Sequence, residues 1–124
     1  MITRGVVAWR GLLALALVLG VTLALRPLAP GQGPENWFPG ADKLHHVWFF
    51  AALWCLASQA RITPVALRAA GLLSFGIGME VAQGLFTQTR GMSAADVLAD
   101  VAGMVLGVLL VRWASSRQPQ ENRG

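Results

Sequence analysis

Glu80 lies in an 18-residue stretch, AAGLLSFGIGMEVAQGLF (69–86), that holds no other charge, and Gln83 follows it one helical turn later. An ionisable side chain inside a run that apolar is costly and is a functional candidate by default. Two other apolar runs open on similar groups. Asp42, Lys43 and His46 lead into one, and Ser93, Asp96 and Asp100 into another. An imidazole and a carboxylate can pass a proton between them, which makes Glu80 and His46 the candidate acid/base pair. Cationic and amide groups beside them suit an anionic head group or a pyrophosphate. On that ground Lys43, Gln83 and Arg90 are candidate ligand-binding residues, and Asp42, Ser93, Asp96 and Asp100, which cluster with them, complete the candidate set. His46, Glu80, Asp96 and Asp100 also carry the nitrogen and oxygen donors that divalent cations take. No two of them have a diagnostic ligand spacing, so no metal and no cofactor are assigned. H-E-x-x-H, a nucleophile elbow and a phosphate-binding glycine loop are all missing from the sequence.

The surroundings of these residues are those of a membrane protein. The 124 residues are 55% hydrophobic and 13% charged, where a soluble domain carries about 25% charged residues. Mean hydropathy is +0.54. A formal charge of +4 whose arginines flank apolar runs fits membrane orientation better than nucleic-acid binding. The single cysteine, Cys55, excludes an internal disulfide and reads as a small hydrophobe.

Crossing a bilayer takes about 20 apolar residues. Four spans are expected, over roughly 6–25, 44–60, 65–86 and 94–113, in a single domain of residues 1–124 with a polar tail at 114–124. The expected fold class is therefore all-α, a polytopic bundle of four transmembrane helices. The first span has a signal-peptide-like core but no clean cleavage site, so it is read as a retained helix. Residues 26–43 form an irregular loop, with Asp42 as N-cap of the second helix. Thr63 caps the third with Pro64 in its first turn, and Ser93 caps the fourth. Arg4, Arg10, Arg61, Arg68, Arg112, Arg117 and Arg123 fall on one side, against Arg26, Lys43 and Arg90 on the other. The positive-inside rule then puts both termini in the cytoplasm.

At about 1.5 Å rise per residue, Glu80 and Asp100 both lie roughly 9 Å below the outer boundary, and His46 roughly 6 Å below it. The inner halves of these spans have nothing comparable, which argues against a proton or ion relay across the membrane. Asp96, Asp100, Gly103 and Gly107 share one face of the fourth helix. Ala95, Ala99, Gly103 and Gly107 form a small-residue ridge beside it, so Gly103 and Gly107 are the expected helix-packing residues. His45 is expected at the interface rather than in the site.

DKLHH, EVAQ and RGMSAADVLADVAGMVLG together resemble the VanZ-like family of small bacterial membrane proteins. The pattern D-K-x-x-H, E-x-x-Q, R-x-x-S-x-x-D and G-x-x-x-G is met over residues 42–107. Its positions here are Asp42, Lys43, His46, Glu80, Gln83, Arg90, Ser93, Asp96, Gly103 and Gly107. Asp100 stands where the family commonly has Asn, adding one carboxylate. The resemblance implies a multi-pass protein of the bacterial cytoplasmic membrane with an envelope-related role, connected by the family's name to glycopeptide antibiotic resistance. The site would face outward and bind or modify an envelope lipid or lipid-linked precursor. The alternative is a non-enzymatic scaffold whose polar cluster fixes helix packing and whose small-residue ridge meets an unknown protein partner. The sequence leaves open whether the protein is an enzyme.

Overall fold

Long uninterrupted runs of Leu, Ala and Val favour helix, and in a low-dielectric setting a helix is the local structure that satisfies its own backbone. The computed structural model describes residues 3–26, 33, 37–87 and 93–117. It contains four helices: α1 (Arg4–Leu25), α2 (Ala41–Gln59), α3 (Val65–Phe86) and α4 (Ala94–Ser116). The all-α expectation holds, and each helix overlaps an expected span. α4 is continuous through both of its acids, so Asp96 and Asp100 ride into the bundle on the first two turns of a 23-residue helix.

Two of the expected caps are corrected. Gly40, not Asp42, is the N-cap of α2, with φ at 82°. Glycine adopts that left-handed conformation without the clash a Cβ would bring. Asp42 instead occupies the first turn, where a carboxylate faces the positive end of the helix dipole. At α3 the cap is Pro64 and no side chain closes the end, so Thr63 does not cap it. The Pro64 carbonyl accepts from the backbone N–H groups of Leu67 and Arg68. The Ser93 cap is present as expected, its hydroxyl accepting from the backbone N–H of Asp96 at 3.3 Å.

α2 is the central helix and packs most closely on α4. Phe50, Leu53 and Trp54 of α2 form the core with Leu72 of α3 and Met104 of α4, and Leu13, Leu17 and Val108 pack around it. The approach of α2 to α4 depends on two glycines. A Cβ on Gly103 would lie 2.3 Å from the Val47 carbonyl oxygen, and one on Gly107 would lie 2.5 Å from Cβ of Trp54. This part of the small-residue ridge therefore meets α2 of the same chain. At the other end of α2, Arg10 of α1 donates to the Ala60 carbonyl at 3.1 Å. Thr22 and Ser58 donate to the carbonyls four residues before them, as hydroxyls in apolar helices commonly do.

α1, α3 and α4 are long and apolar enough to cross a membrane. In α1 only 6% of the apolar window is buried, leaving Leu12, Leu15, Val18, Leu19 and Leu23 exposed on it. So much unpartnered apolar surface on three helices marks a membrane protein. α2 is not among the three. Its first two turns carry Asp42, Lys43, His45 and His46, and its apolar residues face the other helices more than the outside.

The close approach at the glycines gives a direct test. Gly103→Ala should destabilise the bundle by about 1–3 kcal/mol through overpacking. Gly78→Ala, at a position with nothing within 4 Å of its Cβ, should be neutral or stabilise by up to about 1 kcal/mol. Thermal unfolding in detergent separates the two, and equal midpoints would contradict the described packing.

Candidate functional site

The ionisable residues expected at one depth meet in space. His46 on α2 reaches α4 through its Nδ1, 2.6 Å from Oδ1 of Asp100. With Asp100 ionised, its carboxylate only accepts, so Nδ1 then carries the shared proton and Nε2 points the other way. Nε2 lies 3.7 Å from Oδ2 of Asp96 and 4.0 Å from Oε1 of Glu80. Neither separation is a hydrogen bond. Carboxylates from two other helices, α3 and α4, thus surround the imidazole of α2.

Each carboxylate is held by a specific local device. Asp100 is 1% exposed, and Gly76 of α3 makes room for it. A Cβ at Gly76 would stand 2.7 Å from Asp100 Oδ2 and 3.1 Å from the Phe50 ring. Glu80 Oε2 accepts the backbone N–H of Ser93 at 3.0 Å, tying α3 to the start of α4. Its other oxygen, Oε1, is buried with no hydrogen-bond partner among the described residues. Asp96 Oδ1 accepts from Lys43 Nζ, which also donates to Asp42 Oδ2 at 2.7 Å. Lys43 therefore clips the first turns of α2 and α4 together.

Asp42 and Lys43 lie above the apolar span 44–60, and their titration follows from this clip. Hydrogen bonds that Lys43 donates to Asp42 first, then to Asp96, raise the pKa of its ammonium to about 12. The same Lys43 bond holds the Asp42 carboxyl below its ordinary value.

Gln83 takes a different role from the other candidates. Its Nε2 donates to the Ala24 carbonyl of α1 at 3.1 Å, so it fastens α1 over the site. Gly20, Leu23 and Ala24 of α1, with its C-cap Arg26, then wall a cavity of about 570 Å³ that also touches Lys43, His46, Gln83, Ser93, Asp96 and Asp100. Phe49, Phe50 and Met79 supply much of its apolar lining. His45 stays exposed, its ring edge-on to Trp37 at 5.0 Å and its Nδ1 3.0 Å from the Ala41 carbonyl. Arg90 lies outside the described residues.

Two contributors were not apparent from sequence. Gly76 carries no functional group, and its only signal is that it shares a helical face with Glu80 and Gln83, four and seven residues on. The end of α1 has no buried ionisable residue to advertise its part in the cavity. No protein-family model matches this chain, and no curated protein and no solved structure matches it either. The site's reading therefore rests on its own geometry.

Lys43 is the only lysine in the sequence, which makes its environment measurable. A rise from 10.5 to about 12 leaves roughly 30-fold less free amine near pH 9 than an ordinary lysine has. Acylation at that pH, followed by peptide mass spectrometry, should be slowed to match and should recover in part in Asp96→Asn, where the larger contribution of Asp42 remains. Labelling at the rate of a free lysine would show that the clip is not formed.

Proposed function

We propose that this chain is a VanZ-like protein of the bacterial cytoplasmic membrane, crossing four times with both termini inside. Its pocket opens toward the outer leaflet and binds the anionic head group of an envelope lipid or lipid-linked precursor. The observation that carries this reading is the cavity's two-part lining. Polar groups from α2, α3 and α4 converge beside Lys43 and Arg26, while Leu23, Phe49, Phe50 and Met79 offer apolar wall next to them. A lipid with a charged head and an apolar tail presents the same division.

The orientation is supported by the arginines. Arg10, Arg61 and Arg68 gather at the end of the bundle away from the polar cluster, where Arg10 donates to the Ala60 carbonyl and Arg68 to that of Ile62. Trp9 and Trp113 are exposed toward that end, and Arg117 stacks over Trp113 at 4.4 Å. This is the pattern of a cytoplasmic interface. α2 crosses as the inner helix of the bundle, shielded by its neighbours. If the bound ligand is also modified, His46, which lines the cavity, is the group placed to move a proton at its head group, with Glu80 buried behind it.

The scaffold reading has less support, because Gly103 and Gly107, the core of its docking ridge, face α2 of the same chain.

Glu80→Gln keeps the shape of the side chain and removes its charge. It should lower the lipid that co-purifies with the protein, identified by mass spectrometry. The bond this substitution weakens is the one from the Ser93 backbone N–H, which holds the start of α4 at the cavity. The lipid is then lost through displacement of that wall and not through a lost ligand contact. Glycopeptide susceptibility of cells carrying the variant should shift toward that of cells lacking the protein. A stably expressed variant with wild-type lipid content and wild-type susceptibility would sink the proposal.

A further inference from the structure

The cluster holds an unbalanced charge. Asp42, Glu80, Asp96 and Asp100 are four of the six acids in the sequence. Among the described residues, Lys43 meets Asp42 and Asp96, and His46 is the group that lies against Glu80 and Asp100. Glu80 is especially exposed to this imbalance. Its side chain is 5% exposed, and its Oε1 has no hydrogen-bond partner among the described residues. A buried carboxylate oxygen left this way is expensive, and a native structure ordinarily supplies a proton donor or an ion.

Oε1 is not aimed at random. It points to the same place as two other lone-pair donors, His46 Nε2 and a carboxylate oxygen of Asp96, and the three atoms lie within 4.8 Å of one another. The two separations from Nε2 are 3.7 and 4.0 Å. A transition cation about 2.1 Å from each donor needs them roughly 3.0–3.4 Å apart. The donors therefore need to close by about 1 Å, within reach of side-chain torsions. The supports behind them are those a metal centre uses. Asp100 accepts from Nδ1 of His46, the carboxylate–histidine arrangement that fixes a ligating imidazole and raises its basicity. Ser93 N–H and Lys43 hold the second oxygens of Glu80 and Asp96. His46 and Asp96 are 25% and 14% exposed and line the cavity, which gives an entry path and an open coordination position.

We infer that His46, Glu80 and Asp96 form a binding site for a divalent first-row transition cation, with Asp100 as the residue that positions the imidazole. One imidazole and two carboxylates suit Zn²⁺ or Mn²⁺ better than Mg²⁺ or Ca²⁺, which prefer oxygen alone. A dication there would satisfy Oε1 and offset the surplus carboxylate charge. It would also give the cavity a Lewis-acidic floor beside Lys43. The inference concerns the same cavity as the lipid proposal but does not require that the ligand be a lipid.

The test uses the full chain in detergent, purified without a polyhistidine tag and stripped with a chelator. Calorimetric titration with Zn²⁺ and with Mn²⁺ should show one equivalent bound, with Mg²⁺ and Ca²⁺ at least about tenfold weaker. Asp100→Asn should weaken binding about 10–100-fold while leaving one site. Glu80→Gln and Asp96→Asn should abolish it, with folding checked by helix content and gel filtration. A second readout needs no site variant: the electron-spin-echo spectrum of the Mn²⁺-loaded protein should show coupling to one imidazole nitrogen, retained in His45→Gln. The inference is overturned by wild-type protein that holds no equivalent of either cation, by unchanged binding in a folded Glu80→Gln, or by a spectrum without imidazole coupling. Wild-type protein that binds the metal but co-purifies with no envelope lipid would count against the lipid proposal alone.

Discussion

The hydrogen bond between His46 and Asp100 is the interaction around which the bundle is arranged. Asp100 is almost wholly buried in an apolar helix, and a lone carboxylate there would be several kcal/mol unfavourable. At 2.6 Å from Nδ1 of His46 it has a strong donor from the neighbouring helix. That bond can form only if α2 and α4 lie unusually close. Gly103 and Gly107 allow the approach by leaving the Val47 carbonyl and the Trp54 side chain in the space a Cβ would occupy. Gly76 does the same for α3, leaving space for the Asp100 carboxylate itself. The three glycines and the one polar bond are parts of a single constraint.

Once His46 is turned toward Asp100, the geometry of the rest follows. Nε2 faces Glu80 and Asp96, and Glu80 is held in place through Ser93 at the start of α4. Lys43 sits one turn above and bridges to Asp96, closing the top of the α2–α4 pair. α1 contributes no charge at this level. It is fastened by the Gln83 amide to the Ala24 carbonyl and completes the cavity with apolar surface. The polar floor comes from α2, α3 and α4, while the apolar wall is shared between α1 and the residues Phe49, Phe50 and Met79 of α2 and α3.

Much of this was legible in the sequence because the spans are long and their ends well marked. Counting residues from those ends placed His46, Glu80 and Asp100 at one depth, and the three do meet. The packing role of Gly103 and Gly107 was readable too, since they share a face with Asp96 and Asp100. Pairing was not readable. Depth says which groups can meet, whereas the rotation of each helix decides which do, so Asp100 rather than Glu80 is the hydrogen-bond partner of His46. Gln83 likewise bonds to a backbone carbonyl of α1, and backbone acceptors leave no trace in sequence. The helix starts were misplaced at Asp42 and Thr63 because capping depends on backbone dihedrals at Gly40 and Pro64.

The central claim is that His46 donates its Nδ1 proton to Asp100, and nitrogen-15 NMR of histidine-labelled protein in lipid bilayers measures it directly. With His45→Gln removing the only other histidine, the account predicts a protonated Nδ1. Its proton should be strongly deshielded by the short bond and should lose that shift in Asp100→Asn. An Nδ1 without a proton, or a spectrum that Asp100→Asn leaves unchanged, would contradict the account.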